Sequence, residues 1–437
     1  MTLNDQAKLD LRASDKGLSQ RSPADSAGSA AAGVSSALSS TRKGRILIIV
    51  ENLPVPFDRR VWQEATTLRQ AGYGVTVICP TGKGFEKKRE TIDGVAIYRH
   101  SLPLEASGAA GYALEYSLAL WWEFINSWRV LFGPGFDVIH ACNPPDTIFL
   151  IGGFFKLFFR KKFVFDHHDI NPELYEAKFG RRDFFYKLMV WLERLTFRLA
   201  DMSIATNESY RAIAINRGGM APERVTVVRS GPKIERFPIV PAEPALKHGR
   251  RYLVAYVGVM GPQDGLQYLL KAAAHVVGER GRDDVHFCLV GSGPMIDELH
   301  AMADELEIRP FVTFTGRIPD EDLIAVLNTA DVCVNPDEYN EMNDKSTMNK
   351  IMEYMAVGKP IVQFDLAEGR FSAGEASLYA ERNNAADLAD KVLALLDDPD
   401  QREKMGQIGR ERMISDLSWE HQAPKLLAAY DALFARS

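Results

Sequence analysis

Cysteine is scarce in this chain, basic residues are outnumbered, and no apolar run is long. The four cysteines, Cys79, Cys142, Cys288 and Cys333, lie far apart in 437 residues and form no Cys-x-x-Cys pair. Such spacing signals neither a zinc ribbon nor a disulfide scaffold, and reads as buried thiols in a reducing compartment. Lys and Arg number 52 against 58 Asp and Glu, a formal net charge of −6. A nucleic-acid protein needs a basic excess to displace counterions from phosphate, so any anion site here must be local. The roughly 18 uninterrupted apolar residues of a membrane helix are also missing, because Glu115, Glu123 and Arg129 interrupt the best candidate. After the first predicted strand stands Glu51-Asn52-Leu53-Pro54 instead of Gly-x-Gly-x-x-Gly, which argues against a nicotinamide-dependent oxidoreductase.

What is present suits a large core: 46% of residues are hydrophobic and 25% charged, and the length suggests two domains. The first 44 residues hold nine Ser, eight Ala and no aromatic residue, the composition of a disordered tail. From Arg45 short β-branched runs alternate with helical periodicity, the pattern of an α/β protein with helix-covered parallel sheets. Strands are expected at Arg45 to Val50, Val75 to Cys79, Val95 to Tyr98, Val138 to His140, Phe163 to Asp166, Met202 to Ala205 and Val225 to Val228. Three prolines make Pro238 to Arg250 a linker. The same grammar then restarts with strands at Tyr252 to Val257, His286 to Val290, Val312 to Phe314, Val332 to Asn335 and Pro360 to Gln363. The expected division is 1–44 tail, 45–240 first domain, 250–415 second domain, and a closing helix over 416–437 that would pack back on the first domain.

In open parallel sheets ligands bind beyond the carboxyl ends of the strands, where helix N-termini offer free amides. Two strand-to-helix loops there are glycine-rich, one with Gly258 and Gly261, the other with Gly291 and Gly293. Each alone makes only a tight turn; two on neighbouring strands point to a diphosphate or nucleotide. The segment Asn343 to Val362, NDKSTMNKIMEYMAVGKPIV, places Asn349, Lys350 and Glu353 on the first turns of a helix opening toward that edge. A carboxylate there can accept ribose hydroxyl bonds, and a lysine can meet phosphate oxygens. In the first domain Asp166-His167-His168-Asp169 follows a strand and precedes Glu173. With His140, which ends another strand, His168 and Asp169 are the candidates for bonding substrate hydroxyls and moving a proton. Adjacent histidines diverge and no third ligand has zinc-type spacing, so no metal is expected. Arg59 and Arg60 begin a helix where guanidinium groups would suit a phosphate-bearing acceptor, and Glu173, beside the loop facing the cleft, is a further acceptor candidate. Aromatics and cations interleave over Phe154 to Lys162 and Arg181 to Lys187, and Trp121, Trp122 and Trp128 precede them; this pattern suits peripheral contact with a membrane.

The run around Glu353 resembles the donor-binding helix of retaining glycosyltransferases of the GT-B fold, the large family-four group, in a variant reading S-T-x-N-K-x-x-E-Y-M-A-x-G-K-P. The resemblance extends from Arg45 to the C-terminus. It includes Pro56-Phe57-Asp58-Arg59-Arg60-Val61, Asp137-Val138-Ile139-His140, Gly291-Ser292-Gly293-Pro294 and Phe314-Thr315-Gly316-Arg317. It implies two Rossmann-like parallel-sheet domains facing a cleft, with Glu353 on the donor ribose, Gly291 and Gly293 near the nucleotide, and backbone around Arg317 and Ile318 on the base. It further implies a UDP- or GDP-sugar as substrate with no cofactor, and a glycan or lipid-linked acceptor at the inner face of a bacterial membrane in exopolysaccharide or surface-glycan assembly. The expected location is therefore the cytoplasm. The commoner pattern has a second glutamate where Lys345 stands, and an Arg and a Lys at slots that correspond to Met260 and Asp264. Lys345 and Lys350 are expected to supply the missing positive charge. The alternatives are a sugar-nucleotide epimerase or hydrolase and a non-catalytic nucleotide-binding partner protein.

Overall fold

The computed structural model describes residues 43–101 and 108–435, with only the backbone described over 108–116. All but the last two residues of the expected tail lie outside the described residues. The first sheet contains β1 (Arg45–Ile49), β2 (Gly74–Pro80), β3 (Arg89–Ile92), β4 (Val95–His100), β5 (Val138–Cys142), β6 (Lys162–His167), β7 (Met202–Ala205) and β8 (Val225–Val227). Its order is β3-β4-β2-β1-β5-β6-β7-β8, parallel except where β3 meets β4. The second contains β9 (Tyr252–Val257), β10 (Val285–Val290), β11 (Val312–Gly316), β12 (Val332–Asn335), β13 (Ile361–Phe364) and β14 (Ser377–Ala380), in the order β11-β10-β9-β12-β13-β14. Both sheets reverse direction beside their first strand, β1 against β5 and β9 against β12. This creates a ligand crevice at the carboxyl end of each sheet.

Helices cover both faces of each sheet. In the first domain they are α1 (Arg59–Gln70), α2 (Gly108–Phe132), α3 (Phe149–Phe159), α4 (Asn171–Phe179), α5 (Phe184–Leu199) and α6 (Glu208–Asn216). The second domain carries α7 (Leu266–Ala274), α8 (Ile296–Glu305), α9 (Asp320–Thr329), α10 (Glu341–Lys345), α11 (Asn349–Ala356), α12 (Ala367–Ala373), α13 (Ala385–Asp397) and α14 (Pro399–Arg412). Because helices lie on both sides, Ile46 to Ile49 are all buried and β1 reads as a continuous apolar run, without alternation. Edge strand β3 was not among the expected strands. It is turned into β4 by Asp93 and Gly94, with φ of 49° and 77°, the left-handed pair that a two-residue hairpin requires.

The chain ends on the first domain. In α15 (Trp419–Ala435) the residues Trp419, Leu426, Tyr430 and Leu433 join the core formed by β1, β2 and α1, each such burial stabilising by about 1.5–3 kcal/mol. Trp419 Nε1 donates to Thr67 Oγ1 at 2.9 Å and Tyr73 OH donates to Asp431 Oδ1 at 2.9 Å. The expected linker is strapped to the second domain: Val240 N donates to Asn328 Oδ1 at 3.1 Å and Glu243 N to Thr329 Oγ1 at 2.8 Å. The outgoing and returning segments touch. Trp419 N donates to Pro232 O at 3.2 Å, and a Cβ on Gly231 would fall 1.9 Å from Leu417 O, so only glycine admits this crossing. Elsewhere the domains meet through Asn207 Nδ2, which donates to Lys345 O at 2.8 Å and Thr347 Oγ1 at 3.0 Å, and through Arg229 paired with Glu368 at 3.3 Å. No helix among the described residues is long and apolar enough to cross a membrane.

Candidate active site

A cleft of about 530 Å³ opens at the carboxyl ends of β9, β10 and β11. Gly258, Gly291, Arg317, Ile318, Asp320 and Glu353 line it from the second domain, and Arg59 lines it from the first. Gly291 follows β10 with φ of 129°, and a Cβ there would stand 1.9 Å from Gly258 O. The two glycine loops are thus pressed together so that bare backbone forms the wall. Gly261 and Gly293 belong to the same loops without lining the cleft.

Glu353 lies on the helix that the sequence singled out, with 16% of its side chain exposed. Burial pushes its carboxyl above the ordinary glutamate value, against the pull of Arg59 and Arg236. Arg59 lies 3.5 Å from Glu353 Oε1 and 3.0 Å from Asp320 Oδ1, while Arg236 meets the other Asp320 oxygen at 2.7 Å. The Arg317 guanidinium covers the ring of Phe57 at 4.5 Å. The cleft is therefore bridged by charge from both domains. Asp320 escaped the sequence reading because an acid in a helix's first turn already has a local explanation in the helix dipole.

The lysines stand in different settings. Lys350 Nζ is part-buried, 2.9 Å from Asp337 Oδ1, 3.5 Å from Asp264 Oδ1 and 3.3 Å from Tyr256 OH. Although burial opposes its charge, these acids hold the ammonium well above the ordinary lysine value. A diphosphate would have to compete with two carboxylates for it. Lys345 pairs with Glu341 one turn back at 2.5 Å. Asn349 opens α11 and is exposed. Met260 is fully buried, whereas its neighbour Val259 is 59% exposed. The side chain presented at the first glycine loop is thus Val259, one position before the slot expected from sequence.

In the first domain three expected substrate contacts belong instead to buried networks. Asp166 accepts from Arg60 at 2.9 Å, and it meets His168 Nε2 at 2.5 Å and His140 Nε2 at 3.2 Å. Arg60 also reaches Glu64 Oε1 at 3.1 Å and donates to Val228 O at 2.8 Å. His140 is fully buried, with Nδ1 2.7 Å from Tyr430 OH. His140 and Arg60 therefore cannot face a substrate as the sequence reading placed them; His140 supports Asp166, and Arg60 ties α1 to β6 and β8. Glu173 is likewise held by Arg217 at 2.6 and 3.1 Å, and Arg217 grips Glu193 at 2.6 and 2.7 Å. That makes Glu173 part of a structural ion triad rather than an acceptor contact. Burial pushes Glu64 well above the usual carboxyl value, and Asp166 is held well below it by Arg60 and the imidazoles despite its own burial.

His168 and Asp169 remain partly exposed at the end of β6. Asn143 fixes their loop, its Oδ1 accepting from the backbone N–H groups of both at 2.7 and 3.2 Å. Burial also raises the Asp169 carboxyl, against the pull of His168 and His167. Two groups, His140-Cys142-Asp166 and Glu64-Asp166-His168, bring ligand-type atoms within 4.8 Å of one another. Arg60 stands 3.0 Å from His168 Nε2 and already supplies the positive charge that a cation would bring.

The sequence matches two family models, Glycosyltransferase Family 4 over residues 58–236 and Glycosyl transferases group 1 over residues 251–398. The chain belongs to the family-four glycosyltransferases of the GT-B fold. This family-four chain is 29% identical to the alpha-maltose-1-phosphate synthase of Mycolicibacterium smegmatis over 56% of its own length and 66% of that protein. It is 30% identical to the alpha-D-kanosaminyltransferase of Streptomyces kanamyceticus over 36% of its length and 39% of that protein. It thus spans about two-fifths to two-thirds of these curated relatives. Among solved structures, sucrose-phosphate synthase of Thermosynechococcus elongatus superposes with a TM-score of 0.73 at 21% identity, covering 90% of this chain and all of that one. Anabaena HepE in complex with UDP and glucose does so with a TM-score of 0.68 at 15% identity, covering 89% of this chain and all of that one. At such identities these likenesses speak for the fold.

Proposed function

We propose that this protein transfers a glycosyl unit, with retention at the anomeric carbon, from a UDP- or GDP-sugar held by the second domain to a glycan or lipid-linked acceptor held by the first. One observation carries the reading: Glu353 stands part-buried in a cleft walled by bare glycine backbone at the carboxyl edge of β9 and β10, where ribose and phosphate would find a carboxylate and close backbone. The HepE structures with UDP and with UDP-glucose share the architecture and support a nucleotide-sugar donor. In the reaction the bond from the anomeric carbon to the diphosphate breaks, the acceptor oxygen bonds to that carbon, and the acceptor proton passes to the departing phosphate. Backbone amides and Arg59 stabilise the leaving charge, and His168 and Asp169 face the acceptor. No metal or cofactor is needed for this route. The enzyme works from the cytoplasm, at the periphery of the inner membrane, in exopolysaccharide or surface-glycan assembly.

Titration calorimetry with UDP, GDP and CDP on the wild type and Glu353→Ala tests it. One diphosphate binds selectively, and the variant loses at least about ten-fold in affinity, as expected for a charge-assisted bond of about 1.5 kcal/mol or more. Equal binding by the variant, or binding of no diphosphate, overturns the reading.

A further inference from the structure

Helices α2, α3 and α5 form a continuous layer over the first sheet. Phe124 of α2 meets Phe154 of α3 edge-on at 5.1 Å, and Lys156 of α3 donates to Leu199 O at the end of α5 at 2.8 Å. An outer layer of this kind normally turns polar residues to water, yet this one turns large apolar side chains outward. On α5, Glu193, Thr196 and Phe197 are buried inward, while Phe184, Leu188 and Trp191, spaced i, i+4, i+7, form an apolar stripe exposed at 71%, 37% and 55%. On α3 Leu157 and Phe158 are exposed at 69% and 70%, and Phe132 at the end of α2 at 80%. Scattered exposed apolar residues need no explanation, but a run of this size across three packed helices marks an interaction surface.

Charge identifies the occupant. Residues 149–199 hold ten Lys and Arg against six Asp and Glu, a net of +4, which leaves −10 on the rest of the chain. Of those six acids, Asp166, Glu173 and Glu193 are buried, Asp183 and Glu176 are paired with Arg181 and Arg182 at 3.0 and 2.7 Å, and Asp169 lies part-buried at the end of β6. Arg160 at the end of α3 and Lys187 and Arg198 of α5 are exposed, with no ion-pair partner among the described residues. The surface thus combines large apolar side chains with unpaired cations on an otherwise acidic body.

We infer that the outer face of α2, α3 and α5 is a docking surface for an anionic lipid bilayer, with the aromatic side chains entering the headgroup region and the lysines and arginines meeting lipid phosphates. The acidic remainder of the chain is repelled by the same bilayer, so the attachment has one orientation. This deepens the membrane-periphery part of the proposed function and rests on it only for the nature of the acceptor; the surface stands without the donor chemistry.

Flotation of the whole chain with vesicles of phosphatidylglycerol and phosphatidylcholine in equal parts, and with phosphatidylcholine alone, tests it. Binding to the anionic vesicles is expected to exceed binding to the neutral ones by about ten-fold or more and to weaken in high salt. Phe158→Ser with Phe184→Ser and Trp191→Ser should lower it by a similar factor, and so should Lys187→Glu with Arg198→Glu, while urea midpoints and nucleoside diphosphate binding stay unchanged. No binding to either vesicle overturns the inference. So does light scattering that shows a dimer made monomeric by the serine substitutions, which would assign the face to a second copy. Vesicle binding by a wild type that binds no nucleoside diphosphate would sink the donor reading and leave this surface standing.

Discussion

The Arg59 guanidinium of the first domain reaches across the cleft to within 3.5 Å of the Glu353 carboxylate of the second, 294 residues away in sequence. A ribose arriving at Glu353 meets a carboxylate already engaged, so donor binding must exchange an ion pair for hydroxyl bonds. Replacing Arg59 with Gln removes the competitor. Affinity for the nucleoside, measured without phosphates, should then rise by a small factor, consistent with a pair of about 0–1 kcal/mol in an exposed setting, while turnover with acceptor falls. An unchanged nucleoside affinity would show that the pair is not displaced.

The same pair sets a pH dependence. Burial holds the Glu353 carboxyl above the ordinary glutamate value, so on acidification it protonates earlier than a free glutamate and loses its best acceptor oxygens. Donor affinity should therefore fall as pH drops through this raised value. Because Arg59 pulls the value down, its replacement by Gln should move the midpoint upward. Calorimetry across pH in both proteins would show the shift, and a midpoint that moves down contradicts the assignment.

Lys350→Met should destabilise the fold by about 3 kcal/mol or more, since it leaves the buried Asp337 and the part-buried Asp264 without their cation. Adding Asp337→Asn should return part of that loss. Urea unfolding of the single and double variants would measure the coupling, and additive losses would deny it.

Among the described residues neither carboxylate oxygen of Glu123 has a hydrogen-bond partner, and His100 Nε2 stands 4.0 Å away. Burial and the neighbouring Glu51 raise its carboxyl well above the usual value, and burial lowers His100 to about 4. The folded state therefore holds a proton that the unfolded chain releases above roughly pH 4.3. Its contribution to stability is full below that pH and declines as pH rises toward the folded value. Glu123→Gln should remove this slope and be the more stable protein at pH 8, by about 1 kcal/mol or more. Thermal unfolding at pH 5 and pH 8 would decide, and a wild type more stable than the variant at pH 8 would contradict it.

Legibility in the sequence followed the range of each signal. Continuous apolar runs and glycine loops are local, so both sheets, except for their edge strands β3 and β14, were legible, as was the helix carrying Glu353. The polar helix α14 shows little apolar periodicity, and only its Asp398 cap followed by Pro399 announces it. Strand β3 was announced by Asp93-Gly94 alone. The site was harder because burial and partners are long-range properties. Nothing beside Arg60, His140 or Glu173 in the chain says that Asp166, Tyr430 or Arg217 waits for them, so each looked like a free polar group at a strand or helix end.

The return of the last helix to the first domain gives the cleft its mechanics. The chain crosses between domains at two places, and these lie side by side, with Gly231 against the Leu417 carbonyl. Two adjacent crossings act as paired hinge pins. They join the domains along one edge, while Arg59 and Arg236 both meet Asp320, so a relative rotation of the domains about that edge would have to exchange these ion pairs.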